Sequence, residues 1–197
     1  EKSTTHHHSK SNCPTSSLNA YSKNILFLSG NTTNPSRLYF SKLGDITTYT
    51  ATDYFDVGIS DGTKVRAIIP AYNALYIFKD KSIWCLTGDN RDNFVLQKLV
   101  DGIGTLSQQS VVIVNNLIYF ITAQNDVAVY DGAYTVKFLS QKIRNTIGAL
   151  NFSRAGSALG LAFSTYKYAD GDFYGSVSLA GSGTNNEVLF FDTAYNA

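Results

Sequence analysis

Residues 65–88 read VRAIIPAYNALYIFKDKSIWCLTG and residues 109–132 read QSVVIVNNLIYFITAQNDVAVYDG, and the two stretches carry one pattern. Each holds three apolar runs of strand length, AIIP/LYIF/SIWCL and VVIV/LIYF/VAVY, divided by short polar breaks. The first break contains Asn in both copies, Asn73 in one and Asn115-Asn116 in the other, and Asn accepts the left-handed backbone of a tight turn. The second break is polar in both, Lys79-Asp80-Lys81 and Gln124-Asn125-Asp126, and each copy stops at a Gly-containing turn, at Gly88 and at Gly132. Strand-length runs joined by turns this short predict a three-stranded antiparallel meander, written twice.

The pattern extends outward. Pairs of an aliphatic or aromatic residue with Tyr align at Leu38-Tyr39, Leu75-Tyr76, Ile118-Tyr119 and Phe173-Tyr174, at intervals of 37, 43 and 55 residues. A repeat of roughly 40–50 residues with several strands per unit marks a β-propeller. An ordinary β-sandwich meander is the alternative, and the likeness of the turns as well as the strands favours the propeller. The longest interval holds residues 141–156, where Ile143, Ile147 and Leu150 have helical spacing and predict one short helix. The expected fold is therefore all-β, a partial β-propeller-like array of antiparallel meander blades with that one helix. Further strands are expected at 25–28, 37–41, 54–58, 135–139, 158–163, 172–179 and 187–191. Residues 1–23 are rich in Ser, Thr, Asn and Lys without apolar periodicity and predict a flexible arm, leaving 24–197 as a single domain. Trp84, in the strand 82–86, is expected to fill space between blades, at about 3–5 kcal/mol of stability for Trp84→Ala.

Composition bounds what such a chain can do. Of 197 residues, 44% are hydrophobic and 13% aromatic, which favours a packed β-rich core. Charged residues are 16% and the net charge is +1, so a general electrostatic grip on nucleic acid or membrane is not expected. No run approaches the ~18–20 apolar residues of a membrane-crossing helix. The chain begins with Glu1 and contains no Met, which reads as a piece of something longer whose remaining blades lie elsewhere. Cys13 stands in the polar lead-in and Cys85 in an apolar strand, a poor pattern for a disulfide framework.

Candidate chemistry is sparse. The three His are consecutive, His6 to His8, without Cys, Asp or Glu at ligand spacing, and no GxSxG, Walker A or GxGxxG occurs. Asp45, Asp61, Asp89, Asp101, Asp131 and Asp170 all adjoin Gly, or Gly and Asn, in turns, where Asp serves as a turn former. A glycosidase pair drawn from carboxylates such as Asp56, Asp89 and Asp131 is the less favoured reading. The loop 89–93 is oxygen-rich yet lacks the Gly and distal Glu of an EF-hand, so a solvated turn is expected over a calcium site. Lys137, Lys142, Arg144 and Arg154 form a local positive excess that reads as a solvated face. No catalytic, cofactor-binding or metal-binding residue is assigned, and no cofactor is expected.

One family resemblance stands on specific residues. The run Arg37–Ser41, then Gly44-Asp45 and Tyr49, then Phe78-Lys79, Ser82-Ile83 and Leu86-Thr87-Gly88, then Gly104, Ser107, Ser110-Val111, Tyr119-Phe120 and Asp131-Gly132 resembles the β-propeller-like virion proteins of tailed bacteriophages, of the tail-nozzle, tail-tubular and head-to-tail stabilisation type. It covers roughly residues 37–140 and continues more loosely to Asp192. Asn125-Asp126-Val127 departs from the family's Asp-Gly, and Ala197 ends the chain near where a Trp often follows. The resemblance implies a non-enzymatic structural component of the virion, in the tail or neck around the DNA channel. It implies contacts with copies of itself in a ring, with neighbouring tail or connector proteins and, in passing, with DNA, and none with membrane. An extracellular β-propeller module that binds glycans through exposed Tyr and Asn is the alternative, and a propeller hydrolase a third. For assembly, Leu18, Tyr21, Ile25 and Leu28 are expected to anchor the arm on a neighbour, and the strand from Val188 to Phe191 to offer an open sheet edge.

Overall fold

The computed structural model describes residues 13–124 and 126–140, together with the strands Thr165–Lys167, Phe173–Val177 and Glu187–Phe191. The helix expected over 141–156, the strand expected over 158–163 and the triple His lie outside these residues. The first sheet is a meander of β1 (Leu18–Ser22), β2 (Ile25–Ser29), β3 (Arg37–Phe40) and β4 (Tyr54–Asp56). The second is β5 (Val65–Ala71), β6 (Ala74–Lys79), β7 (Ser82–Thr87) and β8 (Val95–Asp101), and the third β9 (Val112–Val114), β10 (Leu117–Ile121), β11 (Val127–Tyr130) and β12 (Val136–Phe138). β13 (Thr165–Lys167), β14 (Phe173–Val177) and β15 (Glu187–Phe191) form a three-stranded fourth sheet. Among the described strands every pairing is antiparallel between consecutive strands, and β1 lies beside β5 and β9 beside β13. First strand beside first strand, with each sheet's last strand leading to the next sheet's first, is a β-propeller-like array.

The repeat is set by its first hairpin. Lys23-Asn24, Tyr72-Asn73 and Asn115-Asn116 all adopt positive φ at both positions (49 and 61, 47 and 61, 47 and 57°), the two-residue turn whose twist matches antiparallel strands. The equivalent strands are thus β2, β6 and β10, each entered from its Asn. This corrects the frame taken from Leu38-Tyr39, which lies on the third strand of its sheet and not the second. It also shortens the arm expected over 1–23. Leu18–Ser22 is a strand, and ahead of it Ser17 N donates to Ser29 O at 3.1 Å and Asn31 Nδ2 to Thr15 O at 2.8 Å. The backbone pairing of β1 supplies what its modest apolar content does not.

Side chains on the middle sheet alternate between two neighbours. From β6, Ala74, Tyr76 and Phe78 pack toward the third sheet with Ile118, Phe120 and Tyr130. Leu75 and Ile77 pack toward the first sheet with Ile25, Phe27, Leu38 and Phe40. Buried on both faces, β6 reads in sequence as an unbroken apolar run. The Phe78 and Phe120 rings meet edge-on at 5.1 Å across one interface, and Phe94 contacts Phe27, Phe40 and Phe55 edge-on at 6.0, 5.4 and 5.8 Å across the other.

β5 is an edge strand and tolerates Pro70, and its free edge is closed by a side chain. Ile68 N donates to Gln108 Oε1 at 2.7 Å and Gln108 Nε2 donates to Ile68 O at 3.0 Å, so one amide stands in for a neighbouring strand. A bulge between Val65 and Ala67 frees Arg66, whose Nε pairs with Asp80 Oδ1 at 2.7 Å.

Trp84 is half-buried, packed against the core shared by the first and second sheets, with Nε1 donating to Ser82 Oγ at 3.0 Å and Lys98 Nζ 5.8 Å from the ring. It does not fill a closed space, so the expected cost of Trp84→Ala falls to about 2–3 kcal/mol, read from chemical denaturation. An unchanged midpoint would contradict its place in the core.

Candidate functional site

The alternation of a meander puts the connections β1–β2, β3–β4, β5–β6, β7–β8, β9–β10 and β11–β12 at one end of the sheets and the remaining connections at the other. At the first end, hairpin residues reach across to the next sheet. Lys23 Nζ donates to Gly88 O at 2.9 Å, the Tyr72 hydroxyl donates to Asn116 O, and the Tyr76 hydroxyl donates to Gly132 O at 3.1 Å. Gly88 and Gly132 close the third strands of their sheets with φ of +102 and +90°, and a Cβ on Gly132 would stand 2.7 Å from the Tyr72 ring. Burial pushes the Tyr76 hydroxyl up to about 12, so it remains a donor.

At the opposite end the contact is ionic. Lys79 is fully buried at the end of β6, on the face toward the first sheet, and its Nζ contacts Asp61 Oδ2 at 2.6 Å and Oδ1 at 2.7 Å. The same ammonium donates to Val57 O at 2.5 Å and Gly58 O at 3.2 Å. Burial alone would raise the Asp61 carboxyl, but the hydrogen bonds from Lys79 and from Thr63 outweigh it and hold the group below the ordinary Asp range. In sequence Lys79 belongs to a polar break; in the fold it ties the end of β6 to the connection between β4 and β5.

The turn carboxylates act as turn formers. Asp45 Oδ1 accepts from Thr47 N at 2.9 Å, Asp61 Oδ1 from Thr63 N at 2.9 Å and Asp131 Oδ1 from Ala133 N at 3.0 Å. Hydrogen bonds from the hydroxyls of Thr48 and Thr47 and from the Thr47 backbone hold Asp45 down to about 2. In the loop 89–93 the oxygens turn inward: Asp89 Oδ1 accepts from Asn93 Nδ2 at 2.6 Å, and Asn93 Oδ1 from the backbone of Asp89 and Asn90 at 2.9 and 3.0 Å. That loop is a self-satisfied turn and does not present a cation cage. Asp56 is held by Arg37, with Nε at 2.8 Å, and the same guanidinium lies 3.6 Å from the centre of the Tyr54 ring. Among the described residues no three His, Cys, Asp or Glu side chains converge as a metal site would require. Cys13 is exposed and Cys85 buried, both as free thiols.

Between the loop 41–53 of the first sheet and the loop 89–93 of the second lies a cleft of about 460 Å³. Its apolar lining is the exposed Leu43 with the buried Ile25 and Phe40 behind it, and Lys42, Thr50, Asn90, Arg91 and Asp92 are among its polar residues, with Asp53. Asp53 is fixed at the start of β4 by its backbone, with its N–H donating to Thr50 O and its carbonyl accepting from Phe40 N, both at 3.1 Å. It is only 4% exposed, and Oδ2 accepts from Thr50 N at 3.2 Å. Arg91 Nη1 stands 2.8 Å from Oδ1, but off the direction of a hydrogen bond, so this buried oxygen has charge contact without a donor aimed at it. Arg91, 57% exposed along its side chain, also donates from Nη2 to Thr52 Oγ1 at 3.2 Å. Nothing in the sequence marked Asp53 as buried, since it reads as one more polar loop residue.

The residues expected to serve assembly are divided by the fold. Ile25 and Leu28 are buried within the chain's own sheet, and Leu18 packs half-buried against the same core. Their strands, β1 and β2, pair with each other within the first sheet. Tyr21 is 57% exposed, its hydroxyl donating to Asn24 Oδ1 at 3.0 Å. Val188 and Phe191 lie on β15, at the edge of the fourth sheet.

No protein-family model matches the chain, and no curated protein matches it. Among solved structures it is similar to the N-terminal domain of Nup159, at 12% identity and a TM-score of 0.45 over 93% of this chain and 47% of that one. A second is the S. cerevisiae complex of Dbp5 bound to Nup159, Gle1, IP6 and ADP, at 12% identity and a TM-score of 0.45, over 92% of this chain and 46% of that one. The chain spans less than half the length of either. The likeness is distant, and the architecture rests on the strand pairing described above.

Proposed function

We propose that the chain is a non-enzymatic structural subunit of a tailed-phage virion, repeated in a ring in the tail or neck around the DNA channel. In that setting it touches copies of itself and neighbouring tail or connector proteins, with DNA passing nearby. One observation carries the reading: the residues behind the family resemblance are committed to holding sheets and turns. Arg37 grips Asp56 and stacks on Tyr54, Asp45 ties its own turn, Gly88 receives Lys23, and Lys79 ties β6 to the connection between β4 and β5. Ser110 Oγ lies 2.9 Å from Thr105 Oγ1 inside the connection from the second sheet to the third. Antiparallel sheets locked face to face make a stiff block, and a net charge of +1 avoids mutual repulsion between packed copies.

The arm belongs to this proposal in shortened form. Because pairing begins at Thr15, the segment to remove is residues 1–14. Its deletion should reduce formation of particles more than it lowers the thermal midpoint. A fall in stability with particle formation intact would assign the segment to the subunit's own fold. The glycan-binding alternative draws on exposed Tyr21, Tyr72 and Tyr134, at 57, 40 and 68% exposure. Saturable retention of the chain on an immobilised glycan, lost on Tyr→Ala at one of these, would favour it. Glycoside turnover that is abolished by Asp56→Asn, Asp89→Asn or Asp131→Asn with the fold intact would overturn the structural assignment.

A further inference from the structure

We propose that the cleft above Asp53 binds an organic cation, an ammonium or guanidinium group on an apolar stem, which takes the place of Arg91 at the carboxylate. The proposal is independent of the virion reading. A buried carboxylate oxygen that accepts no hydrogen bond is an under-satisfied acceptor, and Asp53 Oδ1 is one, facing a cleft of about 460 Å³. That volume falls within the roughly 300–1,000 Å³ of small-ligand sites. Arg91 reaches Oδ1 from the side, held also to Thr52 Oγ1, so it supplies charge without a directed N–H. A cation entering along the cleft can supply both, and its stem can lie on Leu43, the exposed apolar residue of the lining, as Lys and Arg stems do on apolar surface. Arg91 is mostly exposed, so it can swing into water, and the exchange leaves the charge at Asp53 balanced. A bare divalent metal needs several oxygen ligands, and among the described residues no three His, Cys, Asp or Glu side chains converge here.

The test is titration of n-propylguanidinium into the isotope-labelled 197-residue chain, following the backbone amides of Thr50, Asn90 and Arg91 by NMR. Saturable shifts are expected, absent with the neutral isostere n-propylurea, lost in Asp53→Asn and tightened several-fold in Arg91→Ala, where the competing internal cation is gone. Shifts that never saturate, equal binding of n-propylurea, or an affinity indifferent to Arg91→Ala would overturn the proposal. The n-propylurea and Arg91→Ala comparisons decide the matter even if Asp53→Asn fails to fold. Excess n-propylguanidinium also separates the sources of the cation. Dissociation of self-associated chains assigns it to a Lys or Arg of a second copy, unchanged association assigns it to a free molecule, and either supports the site.

Discussion

Lys79→Met should lower the stability of the chain by about 3–4 kcal/mol, measured by chemical denaturation. The substitution keeps the stem's volume and removes only the ammonium. Left behind are the carbonyls of Val57 and Gly58 and the carboxylate of Asp61, all drawn to one buried Nζ. Asp61 is one-third exposed and recovers part of its hydration, which keeps the figure at the lower end for a broken buried pair. The same pair predicts a pH dependence. Asp61 is held below its ordinary range when folded, so its contribution is fully present above the unfolded value of about 4 and is lost as pH falls through the lowered folded value. Lys79→Met should flatten this acid limb. A loss under about 1 kcal/mol with an unchanged acid limb would mean that Lys79 does not hold the connection between β4 and β5.

Gly104→Ala is the second large effect, expected at about 3 kcal/mol or more. A Cβ there would stand 2.0 Å from the Lys79 carbonyl oxygen and 2.7 Å from the Asp80 carbonyl carbon, both backbone atoms. The approach cannot relax cheaply, because Thr105 N donates to the same Lys79 oxygen at 3.0 Å while Ala123 N donates to Gly104 O at 2.9 Å. Gly104 is thus wedged between the β6–β7 turn and the β10–β11 connection. Gly102 is the internal control: its φ is +79° but nothing stands within 4 Å of a Cβ, so Gly102→Ala should cost only about 1 kcal/mol. Equal losses at the two positions would remove the steric argument.

The two central meanders were readable because strands buried on both faces become continuous apolar runs, and because Asn73 and Asn115-Asn116 announce their turns. The first sheet was harder. β1, Leu18-Asn19-Ala20-Tyr21-Ser22, buries only Ala20 fully and resembles the polar lead-in before it. Lys23-Asn24 was the available signal, since it matches the other two hairpins in position and backbone. β8 escaped for a different reason. A bulge opposite Ile83 and Trp84 shifts its phase, so that Leu96 packs toward the first sheet and Val100 toward the third, and period-2 alternation fails within one strand. The roles of Lys79 and Asp53 depend on which sheet lies opposite them. Local pattern does not encode that, whereas the turn-forming role of Asp45, Asp61 and Asp131 is local and was legible.

Electron microscopy of the purified chain tests the structural-subunit assignment most directly. A subunit that works by packing against copies of itself should form rings or short tubes of identical units, at first through the sheet edges and the exposed Tyr21 side of the first sheet. Such closed or stacked arrays are the predicted result. A uniform population of single, unassociated molecules at every concentration tried would contradict it.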